Sequence, residues 1–325
     1  DVEHVQYQES HLGAELRIGL KFVCQGERSN FDLSTLNFYL RGDTPLCSAL
    51  FQLLKTPNKQ AELDFGANHF EYNKKLKAKG CNASYLDIDG ALLPSAAKSH
   101  PGYALLLDYF NAKDRFYFLS FDGLKNEEFP EHIDRFEIVF RGDKKLPPGH
   151  QLSKENILIN CVPAINLFSQ AAEPIKIEPN RTDYMISADQ ARTDHVFSYT
   201  VDEVAGRNSL TGQTHEYTPR YQSVFEDEKK LFNVLTKDVG AAAPTHYLQL
   251  PFNLNDEKET LSIDLTAFNA GWPRQLLQEG DLNEGGKDMP NIVDVKNVMH
   301  PTHYFAFPSQ PKHGQLISPL NVTFS

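Results

Sequence analysis

Apolar and polar residues alternate along several segments of the chain, which is the pattern of a β-strand with one buried face. An apolar residue stands at every second position within residues 16–22, 36–40 and 136–140. Residues 116–121 (FYFLSF) are apolar on both sides, so we predict a central strand there. The same pattern predicts further strands at 199–204, 247–252 and 261–267.

Helix signals are fewer and shorter. In Asp43-Thr-Pro45 a residue that caps helix N-termini precedes a proline, and the apolar spacing that follows predicts a short helix over 44–54. Ser99-His-Pro101 repeats this arrangement and predicts a second short helix over 100–110. A third helix signal covers 226–235. The sequence therefore predicts an α+β fold dominated by strands, in mostly antiparallel sheets with short helices.

The chain length and the breaks in this pattern predict at least two domains. The chain has 325 residues, and a domain typically holds about 100–200 residues. A proline-containing break at 174–181 indicates a boundary near residue 180. We therefore expect a β-rich domain over 1–180, which holds both short helices, and a second β-rich domain over 181–325. Residues 278–292 are polar and glycine-rich, and they predict a long surface loop in the second domain.

Composition and charge narrow the range of partners. Thirty-two basic residues against 43 acidic ones give a net charge of −11. Nucleic acids and anionic membrane surfaces bind to basic protein faces, so we expect neither as a partner, and no apolar stretch predicts direct membrane insertion. The four cysteines are far apart and form no C-x-x-C pair, so we expect four free thiols: Cys24, Cys47, Cys81 and Cys161.

Motifs that would carry catalysis or metal binding have simpler explanations here. The glycine-rich phosphate-binding patterns and the G-x-S-x-G pattern of serine hydrolases are absent from the sequence. His300 and His303 are three residues apart, but Pro301 argues against the helix on which they would share a metal. Asp87-Ile-Asp89-Gly90 resembles the start of a calcium loop without its later ligands. We therefore expect no catalytic residue, cofactor or metal site, and we predict that the chain is not an enzyme.

The segment 162–168 (VPAINLF) is predicted to be a structural joint between the two halves of the chain. Its proline has a fixed φ and no N–H, which suits the start or edge of an element, and its apolar residues can be buried. An ordinary core strand is the alternative interpretation. The residues of the predicted joint are Val162, Pro163, Ile165, Asn166, Leu167 and Phe168.

Segments spread over most of the chain resemble, in order, the motifs of one protein family. Residues 157–168 (ILINCVPAINLF) are similar to a family stretch that reads PAVNLF. Residues 91–94 (ALLP), 102–110 (GYALLLDYF) and 114–124 (DRFYFLSFDGL) resemble the family segments LLPYP, GYRLLQEYF and KFLFFDLxGL. Shorter similarities occur at 36–43 (LNFYLRGD), 199–204 (YTVDEV) and 316–318 (LIS). The chain thus resembles the TssF family of type VI secretion baseplate proteins.

This resemblance implies a structural wedge subunit that scaffolds a contractile injection apparatus in the bacterial cytoplasm, near the inner membrane. It implies three partners: a TssG-like wedge subunit, a second copy of the chain itself, and TssK-like adaptor trimers. The helical N-terminal part and the C-terminal end of the family have no counterpart, so we expect a central fragment. Pro319 stands where the family continues a helix, and residues 278–292 have the character of an insertion, so the C-terminal edge is less well matched.

A carbohydrate-binding β-sandwich module is the alternative function. It would stack sugar rings on exposed aromatic side chains, for which Trp272, Tyr247 and Tyr304 are candidates. The chain contains a single tryptophan, whereas such platforms usually carry several aromatic residues of this kind.

Overall fold

The computed structural model describes residues 1–11, 13–23, 34–55, 61–66, 74–76, 81–83, 90–94, 100–122, 124, 133–189, 195–221, 230–237, 243–251, 258–284 and 295–305. The chain divides into two units, Asp1–Ile165 and Asn166–Ser325. Each unit has its own sheets and its own hydrophobic core.

The first unit is built mainly from strands. In chain order its elements are β1 (Val2–Ser10), β2 (Gly13–Lys21), β3 (Thr35–Leu40), α1 (Thr44–Leu54), β4 (Ala61–Asp64), β5 (Lys74–Leu76), β6 (Cys81–Ala83), α2 (Pro101–Asn111), β7 (Phe118–Asp122), β8 (Arg135–Gly142) and β9 (Ile157–Ile159). Short 3-10 helices occupy Lys113–Tyr117 and Lys154–Asn156. The strands form one sheet in the order β1-β2-β8-β4-β5 and another in the order β6-β7-β3-β9, and neighbouring strands are antiparallel.

The two sheets of the first unit share one hydrophobic core. Leu16 and Ile18 of β2 and Phe38 of β3 are fully buried in it. The ring of Phe121, on β7, meets the ring of Phe140, on β8, edge to face with 5.6 Å between centroids. This contact joins one sheet to the other, because β7 and β8 belong to different sheets.

Helix α1 packs on this core through one apolar face. Its buried side chains follow the helical period: Leu46, Cys47, Leu50, Leu53 and Leu54. The carboxylate of Asp43 accepts a hydrogen bond of 3.0 Å from the N–H of Leu46, so the helix begins at the predicted cap. The helix exists because a capped N-terminus precedes an apolar stripe that the core can bury.

The second unit also consists of two sheets. Its elements are β10 (Phe168–Ala171), β11 (Ile175–Lys176), β12 (Asp183–Met185), β13 (Phe197–Asn208), β14 (Thr214–Glu216), β15 (Thr218–Pro219), β16 (Leu231–Lys237), β17 (Thr245–Gln249), β18 (Glu259–Phe268) and α3 (Trp272–Leu276). One sheet has the order β10-β18-β13-β14, with β11 also paired to β18, and the other has the order β12-β17-β16-β15. Strands β15 and β16 are parallel, and the other neighbouring pairs are antiparallel.

Strand β18 supplies the centre of the second core. Alternate residues along it are almost completely buried: Leu261, Ile263, Leu265 and Ala267. Tyr184 of β12 and Leu248 of β17 join the same core from the other sheet. The period-two pattern of the sequence therefore corresponds to one buried face of a central strand.

The prediction of a strand-dominated α+β fold with mostly antiparallel sheets is confirmed. The predicted domain boundary near residue 180 lies after β10 and β11, two strands that pair with β18 of the second unit. Residues 278–284 form neither helix nor strand, and the rest of the predicted loop at 278–292 lies outside the described residues, as do 316–318 and Pro319.

Three local predictions need correction. The strand predicted at 116–121 begins at Phe118, because Lys113–Tyr117 forms a 3-10 helix. The helix predicted at 226–235 is wrong over 231–235, which lie in β16. The mostly apolar segment 231–235 (LFNVL) fits both the helical and the strand period. Residues 226–229 lie outside the described residues. The cap of α2 is His100, whose Nδ1 accepts a hydrogen bond of 3.0 Å from the N–H of Gly102; Ser99 is not described.

Candidate interaction surfaces

The two histidines considered as metal ligands have other neighbours. The guanidinium of Arg274 donates a hydrogen bond to Nδ1 of His300. The positive charge of Arg274 disfavours the binding of a metal cation by this ring. His303 is exposed in a segment without helical structure. Among the described residues, no three His, Cys, Asp or Glu side chains are grouped closely enough to hold a metal ion. Asp87 and Asp89 lie outside the described residues.

The described cysteines are free and poorly reactive. Cys47 and Cys81 are buried and Cys161 is half-buried, while Cys24 lies outside the described residues. Burial raises the pKa of Cys47 to about 11. It also raises the pKa of Cys81 and of Cys161. Because the thiolate is the nucleophilic form, these thiols are weak nucleophiles at neutral pH.

Two clefts lie in the second unit. One has a volume of about 260 Å³ and is lined by one charged side chain, Arg220, among uncharged ones. The other, of about 460 Å³, lies beside Asp202, Glu203 and Asp264. There the hydroxyl of Thr266 donates a hydrogen bond of 2.7 Å to Asp202, which ties neighbouring strands together.

The predicted joint is an irregular segment at the division between the units. Asn160 has a left-handed φ of 57° immediately after β9, and residues 161–167 form neither helix nor strand. The division falls between Ile165 and Asn166. Because 162–167 are not part of a strand, the core-strand alternative does not describe them. Val162 and Asn166 are exposed, and Pro163, Ile165, Leu167 and Phe168 are half-buried.

A buried ion pair lies beneath helix α2. The carboxylate of Asp108 has no solvent exposure and is paired with the guanidinium of Arg115, which is also buried. Its two oxygens accept hydrogen bonds of 3.0 and 3.1 Å from the N–H groups of Leu92 and Leu93. Asp108 therefore holds α2, the 3-10 helix after it and the segment before it in one arrangement.

The outward side of α2 is apolar. Its exposed large side chains are Tyr103, Leu106, Leu107, Tyr109 and Phe110. Ala104 and Asp108 are the described α2 residues that are buried. The helix thus turns a small residue and a charged one inward and most of its bulky apolar residues outward, which is the reverse of an ordinary surface helix.

The outer face of the sheet that contains β2 and β8 is covered by ion pairs. Arg17 contacts Asp64 at 3.1 Å and Glu137 at 3.0 Å, and Arg141 contacts Glu15 at 2.8 Å. Burial raises the pKa of Glu15, but hydrogen bonds from Arg141 and Arg17 outweigh this effect and leave the pKa below its ordinary value. A face with such internal pairing suits contact with water rather than with an apolar partner.

A second buried carboxylate, Glu259, lies at the start of β18. Its side chain is 1% exposed and is paired with the ammonium of Lys230. The hydroxyl of Tyr217 donates a hydrogen bond of 2.7 Å to it, and Nε2 of His215 lies 3.3 Å away. Burial raises the pKa of Glu259, but the hydrogen bonds from Lys230 and Tyr217 lower the pKa by a larger amount. The pKa of Glu259 therefore lies below its ordinary value.

Sequence reasoning did not single out these two carboxylates. Asp108 had a usable signal, because it is the one charged residue within the apolar run 103–110 (YALLLDYF). A lone carboxylate in such a run needs a buried partner or an exposed position. Glu259 had no such signal, since its partners Tyr217 and Lys230 are distant in sequence.

The aromatic residues of the alternative carbohydrate platform have separate neighbours. The ring of Trp272 packs on His195, with 3.5 Å between centroids. Tyr304 packs on Phe268 at 5.7 Å, and the ammonium of Lys237 lies 4.1 Å from the ring centre of Tyr247. All three aromatic residues are half-buried. No observation in the described structure joins them into one stacking surface.

In the described part of the chain, none of the helices has both the length and the apolar character required to span a lipid bilayer.

Comparisons with known proteins agree with one another. A family model described as "Type VI secretion system, TssF" matches residues 2–325. The type VI secretion system component TssF1 of Pseudomonas aeruginosa is 26% identical over 216 residues, which are 66% of this chain and 34% of that protein. A chain in the cryo-electron microscopy structure of a TssK-TssF-TssG baseplate subcomplex is similar in fold, with a TM-score of 0.78 and 24% sequence identity.

The structural match covers 100% of this chain and 60% of that chain, so the sequence spans only part of the length of either relative. At 24% identity the solved structure supports the fold. The family model carries the assignment, because it extends over nearly all of the sequence. This chain belongs to the TssF family of the type VI secretion system.

Proposed function

We propose that this chain is a structural part of the baseplate wedge of a type VI secretion system, where it scaffolds assembly of the contractile injection apparatus. The observation that carries the proposal is the family match over residues 2–325. The outward apolar side of α2 supports it, since a scaffold acts through surfaces that other subunits cover. Its contribution to the machine is binding and not catalysis.

The proposed partners are a TssG-like wedge subunit, a second copy of the chain and TssK-like adaptor trimers. Support comes from the relative of similar fold, which was solved in a complex named for TssK, TssF and TssG. The net charge of −11 favours protein partners over nucleic acid or an anionic membrane. We place the protein in the bacterial cytoplasm, in a baseplate near the inner membrane.

The two units are proposed to be separate domains, with residues 162–168 as the joint between them. The irregular conformation of 161–167 and the division after Ile165 support this proposal. A joint of this kind would let one chain present two sandwich units to different neighbours in an assembly.

Co-expression tests the proposed function. The full-length protein is produced with a tagged TssG-like subunit from the same genome, and an unrelated tagged protein serves as the control bait. We expect the chain to co-purify with the TssG-like subunit and not with the control. Failure to co-purify at low salt, together with saturable turnover of a small molecule by the purified chain, would contradict the scaffold function.

A further inference from the structure

Helix α2 exposes the kind of face that helices normally bury. Its outward apolar side chains follow the spacing i, i+3, i+4 and i+7: Tyr103, Leu106, Leu107 and Phe110. This spacing forms a continuous stripe along one side of a helix and is the usual core-facing pattern. Phe110 is 72% exposed at the end of the stripe. A stripe of bulky apolar residues in water costs free energy unless something covers it.

The helix cannot rotate to bury this stripe within its own unit. Asp108 fixes its orientation through the ion pair with Arg115 and the hydrogen bonds from Leu92 and Leu93. Turning α2 over would move the carboxylate of Asp108 to the surface. The buried guanidinium of Arg115 would then have lost its partner carboxylate. The inward position of Asp108 therefore keeps the apolar stripe facing outward.

The outward face also carries no charge. The sequence 102–111 (GYALLLDYFN) contains one charged residue, Asp108, and it is buried. Elsewhere the described surface is rich in charge, as on the outer face of the sheet that contains β2 and β8. A partner that binds α2 therefore needs an apolar, uncharged contact surface.

We propose that α2 is a docking helix whose stripe seats in an apolar groove on a different subunit of the baseplate. Anchors at i, i+3, i+4 and i+7 are the signature of a helix that lies in a hydrophobic groove. The proposal rests on the proposed scaffold function and names the surface and the partner chemistry that serve it.

The size of the face argues against a symmetric pairing with α2 of a second copy. A helix of 11 residues is about 16 Å long and about 10–12 Å across with its side chains. Two such faces meeting alone would bury only a few hundred Å² each, below the roughly 800 Å² per partner of a standard stable interface. A groove that wraps the helix from both sides buries more of it, and this geometry requires a differently shaped partner.

The test uses the full-length protein with the substitutions Leu106→Ser and Phe110→Ser combined. The matched control combines Leu210→Ser and Tyr221→Ser, since these residues of the second unit are 79% and 76% exposed. Each protein is co-expressed with tagged TssG-like and TssK-like subunits, and the thermal stability of each purified chain is measured alone. We expect the α2 variant to keep its melting temperature. The amount of at least one co-purified partner should fall about tenfold or more with the α2 variant, while the control variant should recover both partners as the wild-type chain does.

Four results would overturn the proposal. Undiminished recovery of both partners by the α2 variant would show that the stripe is not the docking surface, although wild-type recovery would leave the scaffold function intact. Unfolding of the isolated α2 variant, with a stable control, would show that its own chain covers the stripe. Concentration-dependent dimers of the wild-type chain in light scattering, abolished by the α2 substitutions, would identify a second copy as the occupant. Failure of the wild-type chain to recover any partner would count against the scaffold function and, with it, the docking helix.

Discussion

At the scale of single residues, the fold depends on charged groups that are buried with their partners. Asp108 is fully buried and Glu259 nearly so, yet each carboxylate accepts several hydrogen bonds or pairs with a cation. A buried pair contributes little net stability compared with apolar residues of the same size, but removing one partner leaves an uncompensated charge. Such pairs define a single arrangement of the segments that they join.

Removing the carboxylate of Asp108 tests this role. We expect Asp108→Ala to destabilise the chain by about 3–5 kcal/mol, because it leaves Arg115 buried without its partner. Urea denaturation of the purified chain measures the loss. Glu216→Ala is the control, an exposed carboxylate on β14 whose removal should change stability by no more than about 0.5 kcal/mol. Equal, small effects of the two substitutions would contradict the structural role of Asp108.

The lowered pKa of Glu259 predicts that this residue contributes to the loss of stability of the second unit in acid. Its pKa in the folded chain lies below the ordinary value of 4.5, so its stabilising effect is complete above that value. The effect is lost as the pH falls through the lower folded pKa, because the unfolded chain takes up the proton first. We expect Glu259→Gln to flatten the decline of melting temperature with pH in this acid range. The matched variant Glu216→Gln should follow the wild-type profile, and an unchanged slope in Glu259→Gln would refute the assignment.

At the scale of elements, helices α1 and α2 show that similar sequence signals lead to opposite packing. Both have a cap residue and a proline in the first turn. Helix α1 buries its leucines in the core of the first unit, whereas α2 turns Leu106 and Leu107 outward. The difference lies in Asp108, which needs the buried side of α2 for its pairing with Arg115.

Truncation of Phe168 measures how deeply the chain is packed where the predicted joint ends and β10 begins. A fully buried phenylalanine truncated to alanine costs about 3–5 kcal/mol. Phe168 is half-buried, so we expect Phe168→Ala to cost about 1–2 kcal/mol. Val162→Ala, in the same segment but 82% exposed, is the control and should be nearly neutral. Chemical denaturation measures both, and a full-burial cost at Phe168 would mean that this segment is packed more deeply than the structure shows.

At the scale of the whole molecule, the separate cores predict that the first unit folds without the second. Residues 1–165 contain β1–β9 and the complete first core. We expect this fragment to give a strand-rich circular dichroism spectrum and a cooperative thermal transition. A fragment ending at residue 134 is the control, because it lacks β8 and its core residues Phe136, Ile138 and Phe140. If the longer fragment were as unstructured as the shorter one, the proposal of separate domains would fail.

Local pattern explains which parts of this architecture were predictable. Strands β2, β3, β8, β13 and β18 and helix α1 appear where the alternation or the cap indicated them. The run 231–235 was misassigned, because four apolar residues around Asn233 fit a helix as well as a strand. The sequence pattern indicated a boundary near residue 180 because of a proline-containing break. The pairing of β10 and β11 with β18 joins residues almost 100 positions apart, and a local pattern does not reveal such pairing.

The sequence by itself determined the fold class, the positions of several long strands and of helices α1 and α2, and the family, because apolar period and motif order are properties of neighbouring residues. Only the tertiary structure decided which side of α2 faces outward, and that Asp108 and Glu259 are buried with distant partners. It also showed that the guanidinium of Arg274 contacts the ring of His300, 26 positions further along the chain. Burial and pairing arise from contacts between residues far apart in the chain, and a pattern of neighbours does not contain that information.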